Sequence, residues 1–81
     1  MQDIAAFTHE LRAQVRSLAK NLTGEQVSAA LFITTDALFD SGVDKCWEAA
    51  NIKDRAKVAD VFCVTWLTSW IIELQRMQCR K

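Results

Sequence analysis

The stretch DRAKVADVFCVTWLTSWIIELQRMQ, residues 54–78, decides how this chain is read. It contains no Gly or Pro and reads as one long helix. Val58, Val61, Phe62, Thr65, Trp66, Ser69, Ile72 and Met77 are spread over much of its circumference, and Ala59, Cys63, Trp70, Ile71 and Leu74 cover most of the remainder. A helix that is apolar nearly all round is either central in a bundle or shared between two packed surfaces. The rest of an 81-residue chain is too short to surround it. The expectation is therefore an oligomer, most simply a homodimer. Phe62, Trp66 and Trp70, one turn apart on one side, form the candidate dimer or partner interface, because large rigid aromatic rings are the common anchors of protein contacts. The simpler alternative is that the same three rings fill the core.

A membrane role is not expected from this stretch. Its longest uncharged run, residues 61–72, spans about 18 Å as a helix, against roughly 30 Å for a bilayer core. Thr65, Thr68 and Ser69 interrupt that run.

Working toward the N-terminus, Asn51-Ile52-Lys53-Asp54 reads as a break, since Asn and Asp favour caps over helix interiors. Residues 43–50 form a short helix with Cys46, Trp47 and Ala50 as its inner face. Ser41-Gly42 ends the helix before it, with Gly42 available for a left-handed backbone. That helix, residues 24–40, carries the stripe Val27, Ala30, Leu31, Thr34, Leu38, with Phe32 and Phe39 on a neighbouring stripe. It opens with a capping box, Thr23 and Gln26 each satisfying the other's backbone N–H. The first helix, residues 3–21, shows Ile4, Phe7, Leu11, Val15, Leu18 and Leu22 at helical spacing, with Asp3 and Lys20 suited to its dipole. The fold expected is all-α: one domain over residues 1–81, a small bundle of three long helices and one short, with sequence neighbours antiparallel.

Composition narrows the function. Hydrophobic residues make up 51% and charged residues 25%, with ten basic against ten acidic side chains, which excludes a disordered chain. A folded monomer of 9.2 kDa should expose roughly 4,900 Å². Cys46, Cys63 and Cys79 are odd in number and lack metal-ligand spacing, so free thiols in a reducing cytoplasm are expected rather than disulfides or zinc. Residues 1–7 show no basic stretch leading into an apolar run, so no secretory leader is expected.

No catalytic set emerges. The one histidine, His9, lies off the apolar stripe beside Thr8 and Glu10 and reads as solvated. Glu-x-x-His pairs and glycine-rich phosphate loops are absent, so neither enzyme activity nor a cofactor is expected. A helix-turn-helix over residues 38–48 fails: Leu38 stands where Ala is usual, Glu48 where an aliphatic residue is buried, and Asp44 and Glu48 suit neither phosphate nor base edges.

The charges are segregated. Arg12, Arg16 and Lys20 form a basic ridge on the first helix, while Asp36, Asp40, Asp44 and Glu48 are acidic. The plain reading is solvated faces, with an Arg12–Asp36 pair feasible across a helical hairpin. The sharper one is contact with an acidic partner surface or nucleic acid. Arg76, Arg80 and Lys81 complement the dipole of the last helix. Together these features point to a non-enzymatic cytoplasmic protein that binds and modulates a larger protein: a regulator, an adaptor, or a phage-type inhibitor such as an anti-defence protein. The alternative is a nucleic-acid-binding regulator using the basic ridge. An interior ligand lined by Cys63, Thr65 and Ser69 is a third reading.

Overall fold

The computed structural model describes residues 3–79. Arg80 and Lys81, assigned above to the last helix's dipole, lie outside the described residues. Four helices follow in order: α1 (Ile4–Ala19), α2 (Gly24–Asp40), α3 (Val43–Ala49) and α4 (Ile52–Cys79).

Local chemistry sets each boundary. The Asp3 carboxylate accepts from the Ala5 N–H at 3.1 Å and opens α1. The capping box at α2 is formed in both directions: the Gln26 backbone N–H donates to the Thr23 hydroxyl at 3.1 Å, and the Thr23 backbone N–H to the Gln26 side-chain Oε1 at 2.9 Å. At the end of α2, the Ser41 N–H reaches the Ala37 carbonyl and the Gly42 N–H the Phe39 carbonyl. Gly42 takes φ +88°, the left-handed conformation that costs glycine nothing. The chain then re-enters a helix at once, so α3 starts from a glycine with no side-chain cap.

The break before α4 is narrower than the sequence suggests. Only Ala50 and Asn51 leave the helix; the Asn51 carbonyl accepts from the Asp54 and Arg55 N–H groups, so Ile52, Lys53 and Asp54 are the first turn of α4. Asp54 there complements the positive end of the helix dipole.

α4 is the spine. α1 and α2 pack along it, and the short α3 bridges α2 and α4. The core is the cluster Leu11, Val15, Ala30, Leu67, Ile71 and Leu74, flanked by Phe7, Leu18, Leu22, Val27, Cys63, Val64, Trp70 and Met77. Two indole hydrogen bonds set the direction of α2: Trp70 donates to the Val27 carbonyl and Trp66 to the Thr35 hydroxyl, so α2 runs antiparallel to α4. The Gln78 side-chain amide donates to the Leu18 carbonyl at 3.2 Å while Leu11 and Leu67 share the core, so α1 runs parallel to α4.

This placement changes three expectations. The inner face of α3 is Val43, which is buried, while Cys46 and Trp47 are exposed, because a seven-residue helix meets α2 and α4 mainly through its first turn. Arg12 and Asp36 are both exposed and form no ion pair, since α1 and α2 each face α4. The length argument against a membrane span does not hold for α4 as a whole: its 28 residues rise about 42 Å, long and apolar enough to cross a bilayer by length and composition.

Candidate interaction surface

The core occupies one end of the molecule. Every buried residue of α4 (Leu67, Ile71, Leu74) lies in its C-terminal half. The N-terminal half carries apolar side chains of the same kind, but of these only Cys63 and Val64 pack against the core cluster. Ile52 is 86% exposed and Val61 61%. Phe39 on α2 and Trp47 on α3 are exposed beside them.

These elements enclose an open cleft of about 390 Å³ lined by Leu38, Phe39, Val43, Trp47 and Phe62 together with the acidic Asp44 and Glu48. A smaller hollow of about 220 Å³ lies beside it, between Cys46, Lys57, Val58, Val61 and Phe62. Phe62 separates the two. The guanidinium of Arg55 sits 5.2 Å from the centre of the Trp47 ring, a cation–π contact that holds the indole at the rim. Arg55 makes no ion pair among the described residues.

The three aromatic residues singled out in the sequence are divided by the structure. Trp66 and Trp70 stack with ring centroids 6.0 Å apart and both donate their indole N–H to α2, so they hold the α2–α4 seam. Phe62 lines the cleft and the hollow beside it, whereas Trp66 borders only a smaller pocket on the α2 side. Phe39 and Trp47 join it there. Their signal in the sequence was a second stripe on α2 and a lone aromatic on α3, which periodicity alone reads as core.

Arg12, Arg16 and Lys20 lie exposed along α1 and form no ion pair among the described residues. Asp36, Asp40, Asp44 and Glu48 are exposed on α2 and α3, at the cleft end. His9 is exposed on α1. Cys46 and Cys79 are exposed free thiols, and Cys63 packs half-buried against the core as a small apolar side chain. Among the described residues no three His, Cys, Asp or Glu side chains converge as metal ligands would. Thr65 and Ser69 line a pocket of about 120 Å³ with Thr34, Ala37, Leu38, Ser41 and Trp66, separate from Cys63.

No protein-family model, no curated protein and no solved structure matches this chain.

Proposed function

We propose that the chain is a non-enzymatic interaction protein that binds a larger protein in the cytoplasm and modulates it, as a regulator, adaptor or phage-type inhibitor does. The observation that carries this is the cleft around Phe62. Phe39 (59% exposed) and Trp47 flank it as large rings held on helices, the arrangement expected of interface anchors, and its lining is apolar apart from Asp44 and Glu48. The acidic side chains of Asp44 and Glu48 in that lining favour a partner segment that carries basic residues.

A photo-reactive amino acid in place of Phe39 tests the reading. Cross-links in the source cells should recover one larger protein, and the purified pair should bind with an affinity that Trp47→Ala lowers at least about tenfold. Cross-links to no other protein, or an affinity unchanged by Trp47→Ala, overturn it.

A second reading uses the unpaired, exposed ridge Arg12, Arg16 and Lys20 for nucleic acid. It requires retention on duplex DNA that weakens steeply with salt; flow-through at about 50 mM salt excludes it.

A further inference from the structure

The exposed side of α4 carries its own pattern. Val58, Val61, Thr65, Thr68 and Ile72 follow one another at steps of 3, 4, 3 and 4 residues. Four of the five are exposed and Val58 is half-buried. That spacing repeats every seven residues and draws a single seam along a helix, the pattern by which one helix packs against another. All five residues are β-branched. Such residues have low helix propensity because the preceding turn restricts their side-chain rotation, so a helix surface facing only water has no reason to collect them.

The seam continues onto α2. Ile33, Thr34, Ala37, Ser69, Ile72 and Glu73 line a groove of about 200 Å³ to which α1 contributes nothing. Small residues at Ala37 and Ser69 keep it shallow, and exposed Ile33 and Ile72 stand on its two sides. The hydroxyl oxygen of Thr34, a residue only 3% exposed, is buried at this groove with no hydrogen-bond partner.

The size of the molecule supplies an independent measure. Its surface is 5966 Å², about 1,000 Å² more than the roughly 4,900 Å² expected of a compact 9.2 kDa monomer. Its radius of gyration is 14.0 Å where about 12 Å is expected for this length, and its thinnest dimension is 16 Å. The chain is a thin slab, and its excess surface is close to the roughly 800 Å² that each partner buries in a standard protein interface.

We infer that two copies of this chain pair across the Val58/Val61/Thr65/Thr68/Ile72 seam of α4, with Ile33 at its margin, and that the indoles of Trp66 and Trp70 take no part in the contact. A second copy is the occupant because the five seam side chains carry no charge and so meet their own image without like-charge repulsion, as a two-fold contact requires; of the charged residues beside them, Glu73 is already paired with Arg76 at 2.9 Å and Lys57 stands at the far end of the seam by Val58. The pairing does not depend on the partner proposed for the Phe62 cleft, and each can fail without the other.

Light scattering and sedimentation at about 50 µM chain should give a mass of about 18 kDa, twice that of the 9.2 kDa chain. Val61→Glu and Ile72→Glu change residues exposed in the monomer, so helical circular dichroism should stay while the dimer dissociation constant rises at least about a hundredfold. Thr65→Val should tighten the dimer, and Phe32→Glu, exposed on α2 outside the groove, should leave it unchanged. A monomer at this concentration, a dimer that survives Val61→Glu with Ile72→Glu, or a chain that is monomeric in buffer but floats with phosphatidylcholine vesicles through α4 overturns the inference.

Discussion

The indole N–H of Trp66 donates to the Thr35 hydroxyl at 3.2 Å, and that hydroxyl in turn donates to the Leu31 carbonyl one turn back at 2.8 Å. A single threonine thus ties α4 to the backbone of α2 while both its donor and one acceptor site are used. Trp66→Phe removes one neutral hydrogen bond and leaves no buried donor unpaired, because Thr35 keeps Leu31. The expected cost is about 1 kcal/mol in urea unfolding. Thr35→Val should cost more, about 1–3 kcal/mol, because it leaves the Trp66 indole N–H without an acceptor and also removes the bond to Leu31; the double variant should cost less than the sum of the two, since both remove the bond between the helices.

Leu74 is the one large side chain with no exposure among the described residues, and it sits where α1, α2 and α4 meet. Leu74→Ala should cost about 2–5 kcal/mol through lost burial and the cavity left behind. For 81 residues the whole folding free energy is of order 4–12 kcal/mol, so the melting temperature should fall by at least about 10 °C. Ile52→Ser, at the most exposed large apolar residue, should stay within about 0.5 kcal/mol of wild type. Equal effects in the two variants would contradict the position of the core.

The two glycines predict opposite signs. A Cβ at either would meet nothing within 4 Å. At Gly42 the backbone itself is left-handed, so Gly42→Ala should destabilise by about 1–2 kcal/mol. At Gly24, the first residue of α2, the backbone suits any residue, and Gly24→Ala should stabilise by about 0.4–1 kcal/mol by restricting the unfolded chain. Paired thermal melts settle both signs.

Thr23→Ala removes the hydroxyl half of the capping box and exposes the Gln26 N–H, with an expected loss of about 1 kcal/mol. Thr23→Ser keeps the acceptor and should recover most of it. A loss unchanged by serine would show that the methyl, not the hydroxyl, matters at this position.

Much of this architecture is legible in local residue patterns. The stripe Leu11, Val15, Leu18 repeats at helical spacing, Thr23 with Gln26 announces the start of α2, and Gly42 marks its end; each depends on neighbours within a turn or two. Trp47 was not legible in the same way. On a seven-residue helix an aromatic residue reads as inward-facing, yet here the ring turns to the rim under Arg55. Its position depends on where α3 lands against α2 and α4, which no local pattern encodes.

Sequence alone therefore determined four helices, the boundary between the first two and the glycine stop after the second, and the surplus of apolar surface concentrated on the last of them. The surplus follows from composition and length, because a chain this short cannot enclose a helix that is apolar on every side. Tertiary structure decided which side stays open. α1 and α2 pack on α4 so that Leu67, Ile71 and Leu74 are covered and Trp66 and Trp70 become a seam within the molecule, leaving Val61 and Ile72 on one face and the cleft beside Phe62. Helical periodicity places these residues around one axis, but only the packing of helices distant in sequence selects which of them meet water.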